Sequence, residues 1–472
     1  MAENVVAVLE ANARRHAARP ALVWNAGAVT WAELAGLAGG CARDLASRGV
    51  RPGDRVAVML PNDRRFVAAV LAVLKLGATA APLNPLLGPE DRDAILGHLR
   101  PVCVVDDVPA APASWPTVDR PDAPALVLYT SGSTGRPKGA ALSHAALGFG
   151  IRSWAGPVMA LTGNDRVLAA LPLAHSFGLN GALLAPLLAG ATVVLVERFS
   201  PEAALGAVGR HHVTVLPGVA TMFRRMLDSP ALAATDLTSL RIALSGAAPC
   251  PWELARDWQR RTGVRILRGY GMTELFRPIS YLAGDPRDLP ESVGRAVPGV
   301  DLAVVDDMDR AVEPREAGEL LIRTPAALDG YLDDPDATRA VLRDGWFRTG
   351  DLAVVDAGGF VTIVGRKRDL ILRGGYSVVP QEVERVLASH PDVGEAAVVG
   401  VPHAELGEEV AAFVTLRDGA TATGDELVAF CREHLAAYKY PRAVTVLTEF
   451  PRTATGKILK TDLASLARTP DR

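Results

Sequence analysis

The sequence predicts an α/β protein with a large N-terminal domain of layered α/β subdomains, which includes a β-rich subdomain, and a small C-terminal α+β domain. Helical and extended patterns alternate along the first third of the chain, and such alternation favours a layered α/β fold over an all-β fold. Short strands with Gly and Asp turns follow between about 290 and 365. A charged run at 365–369 then separates two apolar strands, so we expect domains at 1–365 and 366–472.

Each element of the large domain is predicted from apolar spacing and turn residues. Apolar positions recur near helical spacing at 34–48, and a second helix at 64–76 ends before a glycine. The strand at 55–60 follows a Pro-Gly-Asp turn, and the Pro-, Ala- and Asp-rich segment 106–124 is predicted to be a surface loop. The remaining strands are predicted from apolar runs at 126–129, 191–196, 213–216, 241–244, 264–267, 318–323 and 359–364.

The C-terminal domain is predicted from its own β/α pattern. A helix at 380–390 has a proline near its first position and acids in its first turn, with Val383, Val386 and Leu387 on one face. Strands at 396–401 and 410–416 and a helix at 425–438 complete the pattern.

The composition excludes several classes of protein. Hydrophobic residues make up 49% and charged residues 22% of the 472 residues, which is typical of globular proteins rather than disordered or fibrous ones. The 50 basic and 53 acidic residues nearly cancel, so we expect no nucleic-acid partner. The four cysteines are scattered and form no CxxC pair, which indicates neither a disulfide framework nor a zinc ribbon but free thiols in the cytoplasm.

We also expect no targeting segment and no integral membrane segment. The N-terminus has no basic region followed by a long apolar run. The stretch 167–196 contains no charged residue other than histidine and is long enough to cross a bilayer. Pro172, Asn180 and Pro186 interrupt it, however, so we interpret it as buried core segments around a loop.

The strongest chemical signal is the run Tyr129-Thr-Ser-Gly-Ser-Thr-Gly-Arg-Pro-Lys-Gly139. Glycines let backbone N–H groups approach an anion, hydroxyls add donors, and a lysine adds positive charge. The run is not a Walker motif, because Gly139 follows Lys138, and it is not a serine-hydrolase elbow, because Ser131 stands where that motif needs a glycine. A flexible linker is the alternative, but a linker does not normally follow a buried strand directly. We interpret the run as a phosphate-binding loop.

This run closely resembles the signature loop of the adenylate-forming enzymes, the superfamily of acyl-CoA synthetases, peptide-synthetase adenylation domains and firefly luciferase. Further motifs follow in the family's order, and together they are far more specific than any one alone. The chain looks most like bacterial fatty acyl-CoA synthetases. The further motifs are Ser245-Gly-Ala-Ala-Pro249, Tyr270-Gly-Met-Thr-Glu274, Thr349-Gly-Asp351, Gly365-Arg366 and Pro451-Arg-Thr-Ala-Thr-Gly-Lys457.

The resemblance implies an ATP site. Tyr270 would stack on adenine, Asp351 would accept hydrogen bonds from the ribose hydroxyls, and Arg366 would contact ribose or phosphate. Thr134 and Glu274 would be the Mg²⁺ ligands, and an oxygen pair of this kind suits a hard cation that keeps some waters. The full implied ATP site comprises Thr130, Ser131, Gly132, Ser133, Thr134, Gly135, Lys138, Gly246, Ala247, Ala248, Gly269, Tyr270, Gly271, Met272, Thr273, Asp351, Ile363, Arg366 and Lys457.

The resemblance also implies two half-reactions. In the first, the acid's carboxylate attacks the α-phosphate of ATP, and Lys457 would bridge the two repelling anions. In the second, the thiol of coenzyme A attacks the acyl-adenylate after the small, mobile domain rotates about Arg368, where relatives normally have Lys or Asp. Gly374, Gly375 and Tyr376 would line the thiol tunnel, unless they form a simple glycine turn.

The acyl pocket is the least specified part. His175 is a catalytic or gating candidate, although a structural core histidine is an equal alternative. The small residues Gly246, Ala247 and Gly269 are expected to leave room for a chain or a ring, and no arginine directly precedes Tyr270 to mark a malonate-type acid. The expected pocket residues are His175, Phe177, Gly178, Gly246 and Gly271.

The sequence therefore predicts an ATP-dependent acid–thiol ligase, an acyl-CoA synthetase for a medium- or long-chain fatty acid. The alternatives are an aryl-acid CoA ligase and transfer to the phosphopantetheine of an acyl carrier protein. A non-catalytic ligand-binding relative would be expected to lack Lys457 or Glu274, and both are present.

Overall fold

The computed structural model describes residues 4–108, 111–120, 122–130, 137–285, 288–452 and 458–467. It divides into two compact units, of which unit 1 comprises residues 1–302 and 322–348 and unit 2 comprises residues 303–321 and 349–472. The chain passes from one unit to the other within the strands Asp301–Val305, Gly318–Arg323 and Trp346–Val355. The predicted domain boundary at residue 365 is based on composition rather than packing, and it stays a prediction.

Most helices of unit 1 begin at a side-chain cap or a proline. Thr30 and Glu33 form a reciprocal capping box at the start of α2, and Asp63 caps α3 by accepting from the backbone N–H groups of Arg65 and Phe66. The helices are α1 Val5–Arg15, α2 Trp31–Ser47, α3 Arg64–Lys75, α4 Pro89–Leu99, α5 His144–Ser153, α6 Ala185–Leu188, α7 Pro201–His211, α8 Ala220–Asp228, α9 Ala231–Ala234, α10 Trp252–Thr262 and α11 Pro335–Val341.

The strands as far as residue 355 are mostly short, and those of the two largest sheets are largely buried. They are β1 Pro20–Trp24, β2 Gly27–Thr30, β3 Arg55–Val58, β4 Thr79–Pro82, β5 Cys103–Val105, β6 Pro124–Thr130, β7 Lys138–Ser143, β8 Arg166–Ala169, β9 Thr192–Leu195, β10 Val215–Gly218, β11 Ile242–Ser245, β12 Ile266–Leu267, β13 Gly269–Met272, β14 Phe276–Ser280, β15 Arg295–Ala296, β16 Asp301–Val305, β17 Gly318–Arg323, β18 Gly330–Tyr331, β19 Leu342–Arg343 and β20 Trp346–Val355.

Three sheets of unit 1 position the site. A seven-stranded sheet has the order β12-β11-β10-β8-β9-β1-β2 and is parallel except for its edge strand β2. A six-stranded sheet has the order β18-β7-β6-β4-β3-β5, and β13-β14-β15 form a small antiparallel sheet. Parallel strands bring their carboxyl ends to one edge, so the loops after β8, β10, β11 and β12 lie along the same edge of the first sheet.

Unit 2 has its own sheet and core. Its later elements form a five-stranded sheet of order β23-β22-β25-β24, with β26 parallel to β25. Val383 and Leu387 of α12 are buried in the core with Val398 and Val414, as the helix pattern predicts. The elements are β21 Val361–Arg366, β22 Ile371–Arg373, β23 Tyr376–Val378, α12 Pro380–Ala388, β24 Val393–His403, β25 Gly407–Leu416, α13 Gly424–His434, β26 Ala443–Leu447 and α14 Lys460–Leu466, with a 3₁₀ turn at Lys367–Asp369.

The structure confirms the mixed α/β class and every helix and strand predicted from the sequence, with ends that differ by a few residues. The apolar stretch 167–196 forms β8, a π-helix at Gly178–Leu184, α6 and β9, all buried, so its interpretation as core is confirmed. No described helix is long and apolar enough to cross a membrane. The π-helices at Trp154–Val158 and Gly178–Leu184 were not predicted, because their side-chain pattern does not differ from that of an ordinary buried helix.

Candidate active site

The sequence after β11 turns sharply at the carboxyl edge of the large sheet. Ser245, at the end of this strand, is 1% exposed, and Gly246 is also buried. Ala247 then has a φ of +64° in the left-handed region, which a non-glycine residue rarely adopts. Ala247 and Ala248 are exposed. Two of the expected ATP residues, Ala247 and Ala248, are thus exposed on a constrained turn, whereas Gly246 beside them is buried.

The segment Gly269–Glu274 forms β13 and the tight connection to β14. Tyr270 pairs with Ile279, and the register shifts before Met272 pairs with Phe276. A Cβ added to Gly271 would lie 1.9 Å from the carbonyl oxygen of Phe276, so only glycine fits there. Phe276 itself has a φ of +57°. The close backbone approach fixes how Tyr270 and Glu274 are presented.

Glu274 belongs to a group of three polar side chains in unit 1. Its Oε1 accepts a hydrogen bond from the hydroxyl of Tyr331 at 2.9 Å. The Nζ of Lys138 lies 5.1 Å from the centre of the Tyr331 ring, within range of a cation–π contact. Burial raises the pKa of Tyr331, so its hydroxyl remains a neutral donor at physiological pH. The structure therefore brings two predicted residues together through a tyrosine that the sequence analysis missed.

The two ends of the predicted phosphate loop face each other across the sheet. Thr130, at the end of β6, pairs with Lys138, at the start of β7, and both are half-buried. The predicted residues Ser131, Gly132, Ser133, Thr134, Gly135 and Lys457 lie outside the described residues, so their roles stay predictions.

The segment after β8 carries the acyl-pocket candidates. The side chain of Asn62 holds this segment by donating to the carbonyl of Leu171 at 2.7 Å and accepting from the N–H of Leu173 at 2.9 Å. His175 is half-buried, and desolvation lowers its pKa, so the ring is neutral at physiological pH. A Cβ on Gly178 would lie 2.2 Å from the carbonyl oxygen of Pro172, so the close packing of the backbone accounts for a glycine at this position.

Aromatic rings and an arginine fill the space beside the two pocket glycines. Phe177 stacks on Trp154 with 5.3 Å between ring centres. A Cβ on Gly246 would lie 3.0 Å from Phe177 and 3.2 Å from Arg277, and one on Gly269 would lie 2.4 Å from the Arg277 guanidinium. Phe177 and Arg277 therefore border the space in which the sequence analysis expected room for a chain or a ring.

Unit 2 brings together the residues expected to bind ribose. Asp351 and Arg366 face each other in the β20–β21 register, and the Nε of Arg366 donates to Asp351 Oδ1 at 3.0 Å. Asp351 is 5% exposed, and its N–H donates to the hydroxyl of Thr349 at 3.0 Å. Ile363 is half-buried on β21, opposite Ala353. A carboxylate fixed in this way can accept hydrogen bonds from a diol.

The predicted hinge and thiol-tunnel residues lie farther along unit 2. Arg368 lies in the single 3₁₀ turn Lys367–Asp369, and its side chain is 55% exposed. Gly374 and Gly375 have φ values of +57° and +82°, which glycine adopts readily. Tyr376 is 57% exposed and stacks on Tyr438 with 4.4 Å between ring centres. The roles of these residues in rotation and thiol access stay predictions.

The described residues offer few ligands for a metal. They contain no group of three or more His, Cys, Asp or Glu side chains that could hold an ion. Of the predicted Mg²⁺ ligands, only Glu274 is described. One carboxylate fits a cation that is bound mainly through substrate phosphates and water.

Sequence comparison assigns most of the chain to known families. Residues 9–118 and 106–332 match the model of the AMP-binding enzyme family, and residues 382–457 match that of the AMP-binding enzyme C-terminal domain. A feruloyl-CoA synthase of an Amycolatopsis species is 38% identical and covers 92% of this chain and 93% of its own length. An indoleacetate–CoA ligase of Aromatoleum aromaticum is 35% identical, with 93% of both chains covered. A long-chain-fatty-acid–CoA ligase of Salmonella typhimurium is 31% identical, with 99% and 95% covered.

Solved structures of the same type superpose closely. ATP-bound MatB from Rhodopseudomonas palustris is 32% identical with a TM-score of 0.93, and 98% of this chain and 99% of that chain are covered. A benzoate CoA ligase from Burkholderia xenovorans is 30% identical with a TM-score of 0.87, and 98% of this chain and 100% of that chain are covered.

Proposed function

The chain belongs to the AMP-binding enzyme family, and from this premise we propose that it activates an aryl acid with ATP and transfers the acyl group to coenzyme A. The coarser activity, that of an AMP-forming acyl- or aryl-CoA ligase, follows from relatives that match along nearly the whole chain. The choice of an aryl acid is the proposal.

The first half-reaction forms a mixed anhydride. The acid's carboxylate oxygen attacks the α-phosphorus of ATP, the bond to the β-phosphate oxygen breaks, and pyrophosphate leaves. Negative groups repel each other along this path, so cations placed at the phosphates stabilise the transition state. Lys138 and Lys457 would supply that charge, and Mg²⁺, held by Glu274 and by Thr134, would neutralise the phosphates.

The Tyr331 hydrogen bond gives Glu274 a defined orientation. By donating to Oε1, the hydroxyl fixes one carboxylate oxygen and holds the side chain in place before ATP arrives. Preorganisation of this kind reduces the cost of arranging charge in the transition state. In unit 2, Asp351 and Arg366 would hold the ribose hydroxyls.

The second half-reaction forms the thioester. The sulfur of coenzyme A attacks the acyl carbon, the bond to the AMP oxygen breaks, and AMP leaves. Gly374, Gly375 and Tyr376 would line the path of the thiol, and a rotation about Arg368 would expose them to the adenylate. The exposed Tyr376 ring is available for such a contact.

The observation that carries the choice of acid is the filled space beside Gly246 and Gly269. A long acyl chain needs an open tunnel, whereas Phe177, Trp154 and Arg277 occupy this side of the expected pocket with rings and a planar guanidinium. Flat groups suit a flat substrate, because an aromatic ring stacks on them or meets them edge to face. The feruloyl, indoleacetate and benzoate ligases among the relatives support the same choice.

A substrate panel tests the proposal. Purified protein is incubated with ATP, Mg²⁺ and coenzyme A, and pyrophosphate release is measured for ferulate, indoleacetate and benzoate against octanoate and palmitate. We expect kcat/KM to be at least about tenfold higher for the best aryl acid, since each misfitting group costs roughly 1–3 kcal/mol. Higher kcat/KM values for octanoate or palmitate would contradict the choice of an aryl acid and favour the fatty-acid ligase that the sequence predicts.

The acceptor is tested in the same reactions. Formation of the thioester with free coenzyme A is followed by mass spectrometry, with a phosphopantetheine-loaded carrier protein in parallel. Rapid pyrophosphate release without thioester from free coenzyme A, together with acylation of the carrier, would favour the carrier-protein alternative.

A further inference from the structure

Arg277 is a buried cation without an acidic partner in the described part of the chain. It is 5% exposed. Its guanidinium donates to the hydroxyl of Ser280 at 2.9 Å, the carbonyl of Ser245 at 2.9 Å and the carbonyl of Leu267 at 3.0 Å, all of which are neutral oxygens. A buried charge is costly unless an opposite charge pairs with it, so a structural role alone does not account for this arginine.

The Arg277 guanidinium has N–H donors that these three hydrogen bonds do not use. An arginine has five N–H donors, and the three bonds of Arg277 leave others for a ligand. Burial lowers its pKa to about 9, so the group is still charged at physiological pH. The indole Nε1 of Trp154 is buried and has no hydrogen-bond partner among the described residues. The Arg277 guanidinium centre lies 5.1 Å from the centre of the Trp154 ring, so the two side chains are neighbours.

These donors lie against the expected acyl pocket. Glycines at positions 246 and 269 let the guanidinium come within 3.2 Å and 2.4 Å of where their Cβ atoms would be. Gly246 follows β11, and Gly269 directly precedes Tyr270, so both border the place where the acid is expected to be activated. Phe177 also lies beside Gly246, 3.0 Å from where its Cβ would be, and stacks on Trp154.

We propose that Arg277, together with Trp154, determines specificity by recognising an oxygen acceptor on the ring of the aryl acid, at the end remote from the reacting carboxylate. The acceptor is a phenolic or carbonyl oxygen or a second carboxylate. This inference rests on the proposed function, because it assumes that an aryl acid occupies the pocket. The inference goes beyond the proposed function by naming the ring substituent and the residues that recognise this substituent.

A matched substrate series tests the inference on the unmodified protein. The acids are 3-phenylpropanoate, its para-hydroxy derivative and its para-carboxy derivative, each assayed by pyrophosphate release. We expect the best oxygen-bearing acid to exceed the unsubstituted acid in kcat/KM by roughly tenfold to 10²-fold, the range for a hydrogen bond to a charged group. Preference for the para-carboxy acid identifies an anionic acceptor, and preference for the para-hydroxy acid a neutral one. Equal kcat/KM values for all three acids would overturn the inference.

Two variants then assign the preference to Arg277. Arg277→Met keeps the length of the side chain but removes its charge and donors, so the preference should collapse to within about twofold, whereas Arg277→Lys should retain part of the preference for the para-carboxy acid. Arg268→Met is the matched control, because Arg268 is equally buried at 4% exposed but has an acidic partner, Asp288, at 3.5 Å and donates to the carbonyls of Leu289 and Pro290. It should lower the melting temperature and leave the substrate ratio unchanged.

The ratio of kcat/KM values separates specificity from stability, because loss of folded protein lowers all three acids equally. An unchanged ratio in folded Arg277→Met would refute the role of Arg277. If no acid of any kind releases pyrophosphate, the proposed function fails. If aryl acids are activated but oxygen substituents make no difference, only the present inference fails.

Discussion

Replacing Gly271 with Ala should damage the site more than the fold. The new Cβ would lie 1.9 Å from the carbonyl oxygen of Phe276, whereas ordinary contacts begin near 3.4 Å. Because the obstacle is backbone, no side chain can rotate away, and the β13–β14 connection must open by about 1.5 Å. Overpacking of this kind typically costs about 1–3 kcal/mol.

The expected loss of activity follows from what this connection holds. Tyr270 and Glu274 flank Gly271 within the same short turn, so a shift there displaces both the predicted adenine contact and the predicted metal ligand. Misplacement by about 1 Å can cost roughly 10²-fold in rate. The destabilisation should lower the melting temperature by only roughly 2–6 °C.

The assay measures both quantities on the same sample. Melting temperature is followed by calorimetry, and pyrophosphate release is normalised to folded protein. Gly206→Ala is the matched control, because a Cβ at this position of α7 meets nothing within 4 Å and alanine favours a helix. The control should keep full activity and an equal or slightly higher melting temperature. Gly271→Ala protein with normal activity and an unchanged melting temperature would refute the close approach.

Three further predictions concern single residues. Lys457→Ala should reduce ATP-driven thioester formation by roughly 10²-fold to 10³-fold and spare thioester formation from synthetic acyl-adenylate; equal losses would contradict the assignment to the first step. Arg368→Pro should impair thioester formation from preformed adenylate more than pyrophosphate release, since proline fixes φ at the pivot, and equal, mild effects would exclude a hinge there. Tyr331→Phe removes the donor to Glu274 but keeps the ring, so pyrophosphate release should fall by roughly twofold to tenfold at an unchanged melting temperature; an unchanged rate would show that this hydrogen bond does not position the carboxylate.

The sequence predicted elements and motifs well because both are local. The helix at 380–390 could be predicted from a proline, acids and an apolar face within one stretch, and it appears as α12. Asp351 and Arg366 could be named from their motifs, but their contact depends on the β20–β21 register. The order of the motifs therefore identified candidate residues of the site, and strand pairing determined which of these residues contact each other.

Tyr331 and Arg277 could not be predicted in the same way. Tyr331 reaches Glu274 across 57 residues because β18 pairs with β7, a non-local pairing that no short pattern encodes. Arg277 stands in the apolar strand β14, and a lone arginine among buried residues was a usable signal for an inward-facing cation. The sequence does not show, however, that the missing side chains of Gly246 and Gly269 make room for it. The expectation that these small residues leave room for a chain or a ring stays a prediction, because it was made without the neighbours Phe177 and Arg277 that lie beside them.

The discontinuity of unit 2 has a consequence for the order in which the chain folds during synthesis. Residues 303–321 leave the ribosome before the rest of unit 2, which begins at Thr349. This segment therefore cannot pack against the rest of unit 2 until those later residues have been synthesised. Unit 1 is complete once Arg348 has emerged, and domains generally fold as units from the N-terminus. The Lys138–Tyr331–Glu274 group can therefore assemble on the nascent chain before Arg366 is available to pair with Asp351. A chain that stops early would carry the first group with an unpaired segment exposed, which makes such fragments candidates for aggregation and for removal by cellular quality control.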